Sequence, residues 1–260
     1  MLRSGVLLGI VLSIIVPFVP LVLYSISLRW FYPAITPSEY SLRGWAYLTS
    51  PSSRLLESLL TSLSVSSLVT LIATLISLPA GRALGLHQFK GKTLVRFLLL
   101  APAIVPGLAV VVGIHILFVR YGLADTFFGV VIAHLIPVTP ITVTLLAGVF
   151  ANFETRFEDQ ARVLGATPLR AFWHVTLPLI LPGVIVSALC AFLVSWNEYI
   201  LTFLIGGGQV STLPILLLSL VQGGDNAITA ATAIIFTAPA MLVLGIATRY
   251  MSKHQRGFPA

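Results

Sequence analysis

Six long apolar runs alternate with polar stretches, at about 5–28, 58–80, 97–119, 127–149, 179–205 and 229–250. Each is close to the roughly 20 residues that a helix needs to cross a hydrocarbon core. The pattern predicts an all-α membrane protein with six transmembrane helices, a single transmembrane domain over residues 1–260. A signal peptide is the rival reading of the first run. That run exceeds the usual apolar core of about 7 to 15 residues, and no small-x-small cleavage site follows it cleanly, so it is read as a span. Residues 29–57 are mixed, and Trp30, Tyr32, Tyr40, Trp45 and Tyr47 mark them as an aromatic interfacial segment outside the membrane. Prolines punctuate the runs at Pro102, Pro106, Pro137, Pro140, Pro182 and Pro239. Broken helices at membrane depth survive where protein or a water-filled cavity covers the freed carbonyls, so these spans are expected to surround a shared interior, with simple kinking as the alternative at each site.

One polar island interrupts the pattern, Thr155–Pro178, inside the connecting segment 150–178. It reads as two short helices and a turn. Thr155 and Glu158 have capping-box spacing, Gly165 stands where a helix ends, and Thr167 before Pro168 reads as an N-cap followed by proline at the first helical position. The second helix is expected to run to Leu177 and stop before Pro178. Phe157, Ala161 and Leu164 fall on one face of the first helix and leave Asp159, Gln160 and Arg162 on the others. Such a helix can lie on a surface and offer a knob to another molecule. Helical bundles usually connect neighbours with about 2 to 8 residues, so a structured connection this long is expected to be functional.

Composition fixes the solvent. The chain is 57% hydrophobic and 9% charged, against about 25% charged in soluble domains, and this excludes an ordinary soluble fold. Its net charge of +7 does not indicate nucleic acid, because basic residues beside membrane spans follow from topology. With the N-terminus inside, Arg3, Arg82, Lys90, Lys92, Arg96, Arg156, Arg162, Arg170, Arg249, Lys253 and Arg256 face the cytoplasm. Only Arg29, Arg43, Arg54 and Arg120 face out. The bias predicts a multi-pass membrane protein with cytoplasmic termini and a cytoplasmic polar island. The single cysteine, Cys190, sits in an apolar run and reads as a small buried hydrophobe.

Catalytic chemistry finds little support in the sequence. Gly85–Thr93, GLHQFKGKT, has one residue too many between its glycines for a phosphate-binding loop and no preceding strand. This chain is therefore not expected to hydrolyse ATP, to be an enzyme or to hold a cofactor. His115 and His134 lie in apolar runs without metal-ligand companions, so internally bonded or cavity-lining histidines are expected rather than a metal site. Ser58, Ser62, Ser64, Ser66 and Ser67 suit close helix packing. In the fifth run Trp196, Asn197, Glu198 and Tyr199 interrupt the apolar sequence, and Glu198 is the only acidic residue inside a predicted span. A carboxylate at mid-membrane costs about 3 kcal/mol, so it faces a solute path or else sits at the outer interface among belt aromatics. Gly206, Gly207 and Gly208 read as a flexible outer loop, and the half-polar segment to Asp225 and Asn226 as a short re-entrant or gating element.

The polar island resembles the EAA loop of permease subunits of ATP-binding-cassette (ABC) importers, in which a Glu-Ala-Ala triplet precedes a glycine and a later Leu-Pro. Here Asp159, Gln160 and Ala161 stand for the triplet, then Gly165, Leu177 and Pro178. Asp159 and Gln160 depart from the family letters. YSLRGWAYL, APAIVPGLAVVVGI, IAHLIPVTPI, VSWNEYILTFLIGGG and the TLP at Thr212–Pro214 extend the resemblance to the second permease of the spermidine/putrescine branch. Related permeases carry iron, aminoethylphosphonate or sugars. The resemblance implies a MetI-like fold whose two cytoplasmic helices dock in a cleft of a separate ATPase. It also implies as partners an ATPase dimer, a second permease and an extracytoplasmic substrate-binding protein, besides membrane lipid. Glu158, Asp159, Gln160, Ala161, Leu164, Gly165, Ala166 and Pro168 would form the ATPase-coupling site.

Two other classes compete. A self-contained secondary transporter would show repeated halves or several intramembrane ionisable groups. A membrane enzyme would show a nucleophile, base or metal constellation. Driving a gate from 1:99 to 99:1 takes about 5.5 kcal/mol of differential binding, and nothing in the chain supplies that cyclically. An external motor is expected.

Overall fold

A computed structural model describes residues 9, 12, 13, 15–31, 33–104 and 107–255. Arg3, Tyr32, Pro106, Arg256 and most of residues 5–14 of the first expected span lie outside these. In chain order the elements are α1 (Phe18–Ser25), β1 (Ser27–Arg29), β2 (Glu39–Tyr40), α2 (Arg43–Leu48), α3 (Leu55–Leu86), α4 (Lys92–Ile104) and α5 (Gly107–Arg120). Then come α6 (Phe127–Ala151), α7 (Arg156–Val163), α8 (Pro168–Ala171), α9 (Leu177–Asn197), α10 (Ile200–Gly206), α11 (Leu213–Gln222) and α12 (Asn226–Gln255).

Among the described residues, 4 helical stretches are long and apolar enough to cross a membrane: Leu55–Leu86, Phe127–Ala151, Pro168–Asn197 and Asn226–Ala247. α4 and α5 hold the described residues of the expected span 97–119. The expected span 179–205 is divided, because Glu198 is extended at ψ 114° and separates α9 from α10. Pro79, Pro137, Pro140, Pro182 and Pro239 all sit inside helices that continue past them.

The chain forms two compact units, Met1–Thr61 with Ser211–Met241, and Ser62–Val210 with Leu242–Ala260. In the first, β1 and β2 pair antiparallel. Trp30 packs on Tyr24 with ring centroids 4.3 Å apart and donates from Nε1 to the Ala34 carbonyl. Of the expected aromatic segment, Trp30 and Tyr40 belong to this small hairpin, whereas Trp45 and Tyr47 lie on α2. Arg43 Nη2 donates to Asp225 Oδ2 at 2.7 Å, while Asp225 Oδ1 accepts from the amides of Ala227 and Ile228 and so satisfies the start of α12. Gly44 lies against the same turn, where a Cβ would come 2.7 Å from the Ala227 carbonyl oxygen.

In the second unit α6 is the central element. Val65, Val69 and Ala73 of α3, Val130, Val131 and Val138 of α6, Ala191 of α9, and Leu201 and Ile205 of α10 share one buried apolar cluster. A second joins Leu146 and Phe150 of α6 to Ile180 and Val184 of α9. Gly81 and Gly85 bring α3 onto α6, since a Cβ on either would lie 2.7 Å from Leu146 Cβ or 2.6 Å from Phe150 Cβ. This is the small-xxx-small spacing through which membrane helices approach. Ser62 and Ser66 are buried on α3 as expected, whereas Ser64 and Ser67 are exposed. Cys190 is half-buried.

Candidate functional site

The polar island folds into a helix, turn and helix with three defining features. First, the capping box does not form: Thr155 is helical at φ −61° and its side chain caps nothing. The carboxylate of Glu158 is claimed elsewhere. Its Oε2 accepts from Arg82 Nη2 on α3 at 2.7 Å, and its Oε1 accepts a short hydrogen bond from Thr176 Oγ1. Glu158 is 4% exposed and Thr176 fully buried, so this ion pair ties α7 to α3 and to the foot of α9. Burial pushes the Glu158 carboxyl upward, but the hydrogen bonds from Arg82 and Thr176 and the charges of Arg82 and Arg162 outweigh it and hold the group below the ordinary carboxylate value.

Second, the helix ends as expected at Gly165, with a fuller closure than glycine alone requires. Gly165 is left-handed at φ +89°. Its amide donates to the Arg162 carbonyl at 2.9 Å and the Ala166 amide to the Ala161 carbonyl at 3.0 Å, the two bonds of a Schellman motif. Thr167 Oγ1 then accepts from the Arg170 amide at 3.4 Å and caps α8, with Pro168 in its first turn. Third, the second helix does not stop before Pro178. Phe172–Thr176 forms a π-turn in which the Leu177 amide donates to the Phe172 carbonyl, and α8 flows through it into α9. The wider turn fits a proline that lacks a donor and crowds the preceding turn.

This fold sorts the expected coupling residues. Glu158 faces inward, Ala161 and Ala166 are half-buried, and Asp159, Gln160, Leu164, Gly165 and Pro168 face out. The apolar knob is more prominent than the shared-face reading implies. Val163 and Leu164 are each 88% exposed at the tip of the turn, with Leu169 and Trp173 also exposed nearby. A cavity of about 430 Å³ at the start of α7 is lined by Val149, Phe153, Arg156, Phe157, Leu179 and Ile180. Val163 is missing from the sequence-derived site although it adjoins Leu164. Arg82 and Thr176 are missing because no local spacing links them to Glu158.

Trp196, Asn197, Glu198 and Tyr199 do not form one lining. Trp196 is 1% exposed and stacks on Phe192 at 5.7 Å. Asn197 and Tyr199 are exposed, and Asn197 Nδ2 donates to the Leu193 carbonyl. Glu198 is half-buried at the corner between α9 and α10, where Oε1 accepts from the Leu201 amide at 3.2 Å. The carboxylate therefore sits at a helix break with one oxygen capping α10. Gly207 and Gly208 are left-handed at φ +50° and +80°, and the amide of Asp125, between α5 and α6, donates to the Ile205 carbonyl of α10 at 2.7 Å. The segment expected to be re-entrant contains α11, a regular helix of 10 residues. Of the two histidines, His134 is internally hydrogen-bonded, and His115 Nδ1 has no partner among the described residues.

The chain belongs to the binding-protein-dependent transport system inner membrane components, whose family model matches residues 53–257. It is thus an ABC importer permease of MetI-like fold and a multi-pass membrane protein. Its sequence is 31% identical over 252 residues to the molybdenum transport system permease protein ModB of Mycobacterium tuberculosis, covering 89% of each chain. It is 28% identical to the putative 2-aminoethylphosphonate transport system permease protein PhnV of Salmonella typhi, over 90% of this chain and 89% of that one. It is 29% identical to the putrescine transport system permease protein PotI of Escherichia coli, over 54% of this chain and 52% of that one. The fold matches, with a TM-score of 0.77 at 18% identity, a crystal structure of a bacterial ABC transporter involved in the import of the acidic polysaccharide alginate, covering 96% and 95% of the two chains.

Proposed function

We propose that this permease supplies half of a solute pathway and is driven by a separate ATPase that grips the segment 155–178. A second permease would complete the pathway, and an extracytoplasmic binding protein would deliver the solute. The observation that carries this reading is the pair Val163 and Leu164, 88% exposed on a turn whose base is held by the bond from Arg82 to buried Glu158. An apolar knob on a rigid base fits a socket and transmits force. Asp159, Gln160, Gly165 and Pro168 surround it on the exposed side, and Glu158 serves by fixing the base. Both termini and this loop would then be cytoplasmic. Substituting Leu164→Asp in the assembled transporter is expected to abolish solute uptake while leaving membrane insertion intact; uptake at the wild-type rate would refute the reading.

For the solute, we propose a small cation of polyamine type, with Glu198 meeting it at the α9–α10 corner beside Asn197 and Tyr199. Support comes from that carboxylate and from the putrescine relative. A second reading, a small oxyanion or phosphonate, is favoured by the molybdenum and phosphonate relatives, which match far more of the chain. Uptake competition with putrescine, molybdate and 2-aminoethylphosphonate separates the two. Under the cation reading Glu198→Gln raises the uptake KM; kinetics equal to wild type would remove it.

A further inference from the structure

Deep in the second unit, the imidazole of His134 on α6 is 1% exposed and reaches hydroxyls on two other helices. Nδ1 lies 2.9 Å from Ser195 Oγ on α9, and Nε2 lies 2.8 Å from Thr202 Oγ1 on α10. The two hydroxyls flank the corner at Glu198, and both are buried. Thr202 Oγ1 also donates to the Glu198 carbonyl at 3.3 Å. A hydroxyl has one proton, so an oxygen that gives its proton to Glu198 can only accept from the histidine. With that bond formed, Nε2 carries the hydrogen, and in the neutral imidazole Nδ1 accepts from the Ser195 hydroxyl. The chain of bonds runs from Ser195 through neutral His134 and Thr202 to the backbone of Glu198, with every buried polar atom of the imidazole satisfied.

The corner needs such an anchor. Glu198 is extended, and its amide reaches only the Ser195 carbonyl, at 3.3 Å, so the helix ladder alone holds it loosely. Both faces of the corner are pinned to one side chain on the central helix. A fully bonded polar network in a low-dielectric interior holds its members in one arrangement.

We infer that His134 is a positioning residue that sets the angle between α9 and α10, and thereby where Asn197, Glu198 and Tyr199 are presented. The effect on transport rests on the proposed solute path; the effect on the corner does not. The test places nitroxide labels at Phe128→Cys on α6 and Tyr199→Cys at the corner, in a Cys190→Ser background. The full chain, assembled with its partner subunits in lipid nanodiscs, is measured by pulsed electron resonance. The expected result is one narrow distance that His134→Phe broadens or shifts, that Thr202→Val shifts likewise, and that His134→Gln, which keeps an amide donor, largely restores. A second pair, Phe128→Cys with Leu181→Cys, is expected to keep its distance in every variant. An unchanged 128–199 distance in His134→Phe or in Thr202→Val overturns the inference, as does an equal change in the 128–181 distance. A shifted corner whose uptake KM stays at the wild-type value upholds the positioning role and removes the solute-path reading of residues 197–199.

Discussion

Arg82 and Glu158 lie 76 residues apart in the chain and 2.7 Å apart in space. The bond joins the end of a spanning helix to the first helix of the exposed loop, so movement of the loop must move α3. Glu158 is the buried partner, and leaving its carboxylate without Arg82 costs about 3 kcal/mol. Arg82→Ala is therefore expected to free α7 from its base. The check is limited proteolysis between residues 151 and 170 in assembled transporter, with faster cleavage in the variant and uptake reduced more than ATP hydrolysis. Cleavage at the wild-type rate would show that the pair holds nothing.

Acid should release the same contact. The Glu158 carboxyl titrates below its ordinary value near 4.5 when folded, so its pairing contributes fully above that value and is lost as pH falls through the lower, folded one. Loop protection against proteolysis is expected to be flat from about pH 8 to 5 and to fall only in stronger acid. Glu158→Gln should lose protection at neutral pH and show no such acid step.

Gly165 tests the turn itself. A Cβ there meets nothing within 4 Å, so the obstacle to Gly165→Val is the left-handed backbone rather than a clash. That strain is about 2 kcal/mol. The variant is expected to insert normally and hydrolyse ATP while uptake is lost, and Gly165→Asn, which tolerates the conformation, is expected to retain much of it. Coupled uptake in Gly165→Val would refute a role for the turn geometry.

Helix contact makes a different demand at Gly85. A Cβ there falls 2.6 Å from Phe150 Cβ and 2.7 Å from the Ala147 carbonyl oxygen, whereas at Gly148 it meets nothing. Gly85→Val should lower the melting temperature in detergent by several degrees, and Gly148→Ala should not change it measurably. Equal effects at the two positions would contradict the packing of α3 on α6.

Local signals in the sequence proved legible. Apolar runs marked the spanning helices, Gly165 and Thr167 marked the turn, and the loop letters marked the family. Partnerships between distant residues were not. Nothing near Thr155 says that Glu158 will desert a capping box for Arg82 and Thr176, because an ion pair across 76 residues outcompetes a local bond only once α3 and α9 are packed. Pro178 misled for a related reason: its missing donor is accommodated by a wider turn upstream, which single-residue propensity does not encode. Glu198 looked like a carboxylate within a helix, yet it occupies the corner between two helices and caps the second.

The central claim is that Val163 and Leu164 form the knob gripped by an ATPase. The direct measurement is affinity purification of full-length, tagged chain from native membranes, with quantification of the ATP-hydrolysing subunit that accompanies it. The account predicts that an ATPase and a second permease co-purify with the wild-type chain, and that Val163→Asp with Leu164→Asp loses the ATPase and keeps the permease. Undiminished ATPase on the doubly substituted chain would contradict it.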